Sequence, residues 1–139
     1  MKRIYLIIGM VACFLGCADF DHYKPLGGNY YFASFGSKNA LLYDFRHVGD
    51  GGGVVIISGL YLQFDYDDRY IVIMDSLETT NQKLYWIIDK AKSVSEASYD
   101  RALEGEKDDL FTSNVIGPLD SVAYNTQLKK KAIGIGGGL

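Results

Sequence analysis

The chain has 139 residues, of which 14 are basic and 17 acidic, so its net charge at neutral pH is −3. This length suits one ordinary domain, and the acidic balance argues against electrostatic binding to nucleic acid or to an anionic lipid surface. A content of 11 tyrosines with only two prolines suits packed β-strands.

In the first sixteen residues, charged residues are followed by an apolar stretch, which is the arrangement of a secretory signal. Lys2 and Arg3 form a positively charged start, and residues 4–15 form an uncharged apolar stretch. This stretch falls within the roughly 7 to 15 residues of a signal core and is shorter than the ~20 residues that span a bilayer. The pattern predicts a cleaved signal over residues 1–16 rather than a transmembrane anchor.

Phe14, Leu15, Gly16 and Cys17 resemble the lipobox of bacterial lipoproteins. In that box a small residue precedes a cysteine that is acylated and becomes the first mature residue, and the family usually has leucine where Phe14 stands. Cys13 ends a second candidate box, but cleavage before it would shorten the apolar stretch and leave apolar residues after the lipid. We therefore assign lipidation to Cys17. The mature chain then has no free thiol for catalysis, disulfide bonding or metal binding.

These features predict the domain organisation of the chain. Residues 1–16 are the signal peptide, 17–28 the lipidated cysteine and a tether, 29–133 a single β-rich domain, and 134–139 a flexible tail. Cleavage removes Lys2 and Arg3, so the mature chain of 123 residues carries 12 basic and 17 acidic side chains. We expect the lipid to hold this chain to a membrane of the cell envelope, in a leaflet that the sequence leaves open.

From Asn29 onwards, apolar residues recur with the period of two that is typical of β-strands. Strands are predicted over residues 31–35, 41–45, 54–57, 60–66, 70–75, 83–89 and 115–119. Hairpin turns are expected at 36–39 and 67–69, and the continuous apolar run 54–57 predicts a strand that is covered on both faces. These strands predict an antiparallel sheet.

Two helices are predicted in the last third of the chain. Ser95 can cap a short helix that runs to Leu103, and Asp120 or Ser121 can cap a helix that runs to about Ala132. In the second helix Tyr124, Leu128 and Ala132 share one face, and Gly134 is the expected stop. The fold class is α+β, mainly antiparallel β, with a sheet of about five to seven strands and a C-terminal helix packed on it.

Three segments of the domain look like an uncharacterised family of small bacterial lipoproteins. They are Tyr-Trp-Ile-Ile-Asp at residues 85–89, Val-Ile-Gly-Pro-Leu at 115–119 and the lysine-rich terminal helix. A start similar to residues 27–31 and a strand pair similar to residues 66–73 also occur in that family. This chain has 25 residues between the first two segments, where the family usually has a short hairpin turn. The resemblance implies a lipid anchor and no particular activity.

The acidic residues Asp65, Asp67 and Asp68, together with Asp50, are the best candidates for a calcium site, because calcium prefers several carboxylate oxygens. The spacing does not match an EF-hand loop, whose sixth position would be Tyr70 instead of glycine. An ordinary acidic hairpin turn is the favoured interpretation, and no metal or other cofactor is expected.

The glycine-rich segment 49–53 is not followed by the Lys-Ser or Lys-Thr of a phosphate-binding loop, so it is interpreted as a connector. His22 and His47 are the only imidazoles. His47 with Asp50 and Ser58 is a candidate set for Ser-His-Asp hydrolysis, but no Gly-x-Ser-x-Gly motif supports it, and carboxylate pairs for glycoside hydrolysis can be drawn too freely from seventeen acids to indicate one.

Five aromatic residues are candidates for a binding surface, namely Tyr61, Tyr66, Tyr70, Tyr85 and Trp86. Aromatic residues at every second position of a strand are more often core residues that pair across strands. The pattern is therefore compatible either with a buried core or with an exposed binding surface. The function expected is a lipid-anchored, non-enzymatic binding or accessory module of the cell envelope. Its lipid would contact a membrane and its domain a protein or a glycan, and the alternative is a small envelope hydrolase using His47.

Overall fold

The structure is a computed structural model that describes residues 22–45, 53–106 and 113–139. The first sheet in this part of the chain consists of β1 (His22–Gly27), β2 (Tyr30–Phe35), β3 (Lys38–Tyr43) and β4 (Val54–Gly59). Each strand pairs antiparallel with the next, in the order β1-β2-β3-β4. Phe35 pairs with Lys38, so the turn between β2 and β3 lies within the predicted segment 36–39.

β1 lies where the sequence predicts part of the tether. His22 pairs with Ser34 and Lys24 with Phe32. The strand lies at the edge of its sheet, where Pro25 is tolerated because a strand edge does not need every backbone N–H. Folded structure therefore reaches back at least to His22, and only residues 18–21 separate it from Cys17.

The second sheet consists of β5 (Leu62–Tyr66), β6 (Tyr70–Leu77), β7 (Gln82–Asp89) and β8 (Val115–Leu119). These strands are also antiparallel neighbours, in the order β5-β6-β7-β8. The predicted hairpin with its turn at residues 67–69 is confirmed. Asp67 N donates to Tyr70 O at 3.0 Å and closes that turn.

The two sheets face each other across one apolar core. The Phe32 and Phe64 rings, one from each sheet, lie with their centroids 4.3 Å apart. Ile71, Ile73 and Ile88 are completely buried in this core. Each large apolar side chain buried here stabilises the fold by about 1.5–3 kcal/mol.

β4 is covered on one face, whereas the sequence predicts cover on both. Val54 and Ile57 are buried in the core between the sheets, but Val55 is 40% exposed. A register irregularity beside Leu41 and Leu42 lets both Val54 and Ile57 point inward. The continuous apolar run therefore reflects a bulge in an edge strand.

α1 (Glu96–Leu103) closes one end of the core. The Ser95 side chain accepts a hydrogen bond from Ser98 N at 3.1 Å, which confirms the predicted cap. Tyr99 packs edge-on against Tyr43 at the end of β3, with ring centroids 6.0 Å apart.

α2 (Ser121–Lys130) covers the outer face of the second sheet, as predicted. Asp120 Oδ1 accepts from Ala123 N at 2.8 Å, so Asp120 is the cap. The helix is shorter than predicted, because Ala132 adopts a positive φ of 51° where Gly134 was the expected stop. Ile133, which is 9% exposed, therefore follows Tyr124 and Leu128 in the packing against the sheet.

The last residues are docked, although the sequence predicts a flexible tail over 134–139. Gly136 N donates to Asp65 Oδ2 at 3.0 Å, and the Tyr124 hydroxyl donates to Gly136 O at 3.2 Å. A Cβ at Gly136 would lie 2.3 Å from the Tyr124 hydroxyl, so only glycine allows this approach. Ile135 and Leu139 pack against the same apolar cluster.

The described residues confirm the α+β class, mainly antiparallel β with a C-terminal helix. The strands divide into two sheets of four rather than one sheet of five to seven. The strand pairing places the turns and connections at two opposite ends of the strands, which we name by a residue at each end. The His22 end comprises the start of β1, the turn 36–37, the connection 60–61 and the turn 78–81. The Lys90 end comprises the turns 28–29 and 67–69 and the segment that follows β7.

Candidate functional site

Two of the five aromatic residues predicted to form a binding surface are core residues. Tyr70 is 8% exposed and Tyr85 is 5% exposed, both on the outer face of the second sheet. The Tyr85 ring stacks on Tyr124 of α2 with centroids 4.4 Å apart. The helix covers Tyr85, and Tyr70 is buried in the same apolar cluster, so neither ring is available to a ligand.

Trp86 points to the opposite face of β7. It pairs with Ile73 and packs against the core between the two sheets. Successive residues of a strand alternate between faces, so adjacent aromatic residues such as Tyr85 and Trp86 belong to two different cores. Proximity in sequence therefore misleads here.

Tyr61 and Tyr66 are exposed, by 49% and 37%. They lie at opposite ends of β5, with Tyr61 at the His22 end and Tyr66 at the Lys90 end. Five residue steps of extended chain separate their Cα atoms by about 17 Å. The five predicted residues therefore do not form one surface.

Tyr66 is instead the centre of a cluster that the sequence analysis missed. Lys24 Nζ from β1 lies 5.1 Å from the centroid of the Tyr66 ring and 5.3 Å from that of Phe64. Lys90 Nζ lies 5.7 Å from the Tyr66 centroid. We call Lys24, Phe64, Tyr66 and Lys90 the Tyr66 cluster. An ammonium group at such a distance is attracted by the negative face of an aromatic ring.

Lys90 fixes this cluster by joining the two sheets. Its Nζ donates to Leu26 O of β1 at 2.7 Å and also to Asp67 O in the β5–β6 turn. Burial lowers the pKa of Lys90, against the opposite effect of Asp67 and Asp68. The aliphatic part of the Lys90 side chain packs against Gly28, where an added Cβ would lie only 3.1 Å from Lys90 Cβ. Tyr66 is thus held in an environment built from both sheets.

An ion pair lies beside the cluster. Arg69 Nη2 is 3.4 Å from Asp89 Oδ2, and its guanidinium carbon lies 5.0 Å from the centroid of the Tyr70 ring. Burial alone would raise the pKa of Asp89, but hydrogen bonds from Arg69 and from Ala91 N–H outweigh it and hold that pKa below its ordinary value. The hydrogen bond with Asp89 also raises the pKa of Arg69.

A buried polar network supports the segment that follows β7. Asn114 is 1% exposed, and its Nδ2 donates to Lys92 O at 2.9 Å and to the Tyr30 hydroxyl at 3.5 Å. Burial raises the pKa of Tyr30 to about 12, so its hydroxyl stays protonated at physiological pH. This network holds the backbone that carries Asp89 and Lys90.

The carboxylates proposed for calcium bind backbone groups. Asp67 Oδ1 accepts from Arg69 N at 2.8 Å and from Tyr70 N at 2.7 Å, which is the pattern of an Asx turn. Asp65 accepts from Tyr66 N at 2.9 Å and from Gly136 N, on the other face of the sheet. Within the ranges that the structure describes, no three potential ligands come together in a metal-binding group.

Several predicted residues lie outside the described ranges. These are Cys17, His47, Asp50 and residues 49–52 of the glycine-rich segment. Gly53 is described, and its φ of 142° together with a Cβ position 2.8 Å from Tyr43 O explains the need for glycine there. Ser58 is an exposed residue of β4.

The comparisons with known proteins give no relative for this chain. No family model matches it, and neither a curated protein nor a solved structure is similar to it at a significant level. Among the described residues, no helix is long and apolar enough to cross a membrane.

Proposed function

We propose that this chain is a lipid-anchored binding module of the bacterial cell envelope that acts by surface contact and not by bond chemistry. The observation that carries the proposal is the order of the first 22 residues. A signal-like segment of residues 1–16 precedes Cys17, and the first described strand begins only five residues later, at His22. A lipid at Cys17 would hold the folded domain beside a membrane, with the His22 end nearest to it.

The Tyr66 cluster is the surface that we assign to the partner. Tyr66 and Lys90 lie at the Lys90 end, and a lipid attached before β1 would place that end away from the membrane. An exposed tyrosine ring with two ammonium groups close to it can contact an apolar or sugar surface, and its hydroxyl and the ammonium groups can donate hydrogen bonds to acidic or hydroxyl groups. We therefore infer that the partner is a protein or a glycan that presents such groups.

The anchor is tested by metabolic labelling with a fatty acid in the native host. We expect the wild-type protein and Cys13→Ser to carry the label and to sediment with membranes, and Cys17→Ser to lose both properties. Cys13→Ser is the matched control, because it removes the other cysteine of the signal-like segment. Retention of label by Cys17→Ser would refute lipidation at that residue.

The binding surface is tested by crosslinking the intact lipidated protein in its own envelope. Tyr66→Ala removes the exposed ring, and we expect it to reduce recovery of the crosslinked partner at least several-fold. Leu103→Ala is the matched control, because Leu103 is a comparably exposed residue on α1. Equal recovery with both variants would show that the Tyr66 cluster does not bind the partner.

A further inference from the structure

The His22 end of the molecule carries a group of exposed large hydrophobic side chains. Leu60 is 45% exposed, Tyr61 is 49% exposed and Phe35 is 38% exposed. Phe35 pairs with Lys38, and Asn39 pairs with Gly59 immediately before Leu60, so the two segments are neighbours. The other exposed large hydrophobic side chains of the described residues are dispersed over other elements, namely Val55, Tyr66, Leu103 and Val122.

The connection that carries Leu60 and Tyr61 is held in place on both sides. Asn39 Nδ2 donates to Leu60 O at 3.1 Å, and Ser34 Oγ donates to Asn39 Oδ1 at 2.7 Å. The Tyr61 hydroxyl donates to Glu78 Oε1 in the β6–β7 turn at 2.9 Å. The apolar side chains are thus presented by fixed backbone, where their exposure is not the result of a frayed loop.

The length of chain between Cys17 and β1 limits how far this end can lie from the lipid. Five residue steps separate Cys17 from His22, and a fully extended chain of that length spans at most about 18 Å. The six residues of β1 carry the opposite end of the domain about 17 Å further away. The chain thus joins the lipid directly to the His22 end, whereas the opposite end is separated from the lipid by the tether and by the length of β1.

We propose that the His22 end rests on the lipid bilayer, with Leu60, Tyr61 and Phe35 in the interfacial region. The inference rests on the proposed lipid anchor at Cys17. Tyrosine suits the interface because its ring is apolar and its hydroxyl is polar, and leucine and phenylalanine contribute apolar area. The contact is hydrophobic, so it does not require anionic lipid, in agreement with the acidic balance of the chain. It orients the domain so that the Tyr66 cluster faces away from the membrane.

Fluorescence quenching of the acylated protein in vesicles of neutral phosphatidylcholine tests this orientation. Acylation at Cys17 leaves the mature protein without a free thiol, so a cysteine introduced by Leu60→Cys can be labelled with an environment-sensitive dye. Leu103→Cys is the matched control, because the two leucines are 45% and 47% exposed and Leu103 lies on α1, at the end remote from His22. We expect lipids with a shallow nitroxide group to quench the dye at position 60 at least threefold more strongly than at position 103.

The outcomes separate the two proposals. Equal quenching at positions 60 and 103 in protein that floats with the vesicles would overturn the bilayer contact and leave the lipid anchor standing. Protein that carries no fatty acid and does not float would overturn both proposals. Stronger quenching at position 60 in floating protein supports the contact, and its persistence in high salt supports the hydrophobic origin.

Discussion

Asp89 is a buried charged residue next to Lys90 of the Tyr66 cluster. It is 8% exposed at the end of β7 and receives hydrogen bonds from Arg69 and from Ala91 N. Because these bonds hold the pKa of Asp89 below its ordinary value, the carboxylate binds a proton less readily in the folded chain than in the unfolded chain. Stability from this group is therefore fully present above the unfolded pKa and is lost as pH falls through the folded pKa.

Asp89→Asn keeps the shape of the side chain and removes its charge. We expect the variant to have a lower midpoint of urea denaturation than wild type at pH 7. The difference should shrink below about pH 4, where the carboxyl of the unfolded wild-type chain takes up a proton, and should disappear at the lower pH at which the folded carboxyl does so as well. Urea denaturation followed by circular dichroism at pH 7, 4 and 2.5 measures this convergence.

Asp68→Asn is the control for the change in net charge, because Asp68 is an exposed residue of the β5–β6 turn. We expect its midpoint to follow wild type at each pH. A gap between Asp89→Asn and wild type that stayed constant from pH 7 to pH 2.5 would contradict the assigned role of the Asp89 charge.

At the scale of elements, α2 depends on its cap as well as on its buried face. Asp120→Ala removes the acceptor of the Ala123 N–H bond, and the expected loss in the free energy of unfolding is about 1 kcal/mol. Ser121→Ala, at the next position, is an exposed change of less than about 0.5 kcal/mol. Thermal and chemical denaturation of the two variants measure the difference, and equal losses would argue against a cap at Asp120.

The strands also differ in how well their own sequence predicts them. β5 and β6 show strict alternation around a turn whose Asp67 side chain caps two backbone N–H groups, so the hairpin was predictable. β1 contains Pro25 and ends at Gly27, and only its pairing with β2 makes it a strand. Edge strands of this kind are stabilised by the neighbouring strand more than by their own residues.

At the scale of the whole molecule, one core between the two sheets joins residues from both halves of the described chain. Leu26 and Ile57 from the first sheet meet Ile71 and Ile88 from the second in that core, so neither sheet buries its inner face alone. Lys90 adds a polar link between β1 and the β5–β6 turn. These contacts fix the position of the His22 end relative to the Lys90 end. The proposed membrane contact at one end and the proposed partner surface at the other both depend on that fixed geometry.

The candidate site could be predicted only in part. Tyr66 was among the aromatic candidates, but Lys24 and Lys90 are distant from it in sequence and meet its ring only because the sheets pack face to face. Tyr70 and Tyr85 were equally good candidates by sequence, but both are buried in the apolar cluster on the outer face of the second sheet. A period of two separates the faces of a strand without saying which face another element will cover.

The sequence by itself determined the features that act within a few residues of each other. These are the β5–β6 hairpin, the Ser95 cap, the start of α2 at Asp120 or Ser121, and the mainly antiparallel β class. The tertiary structure decided the division into two sheets, the docking of β1 and of the C-terminal residues, and the burial of Tyr85 and Trp86 on opposite faces. Capping and alternation are local interactions of neighbouring residues, whereas strand pairing and burial are contacts between distant segments, whose free energy is gained only when the whole chain has packed.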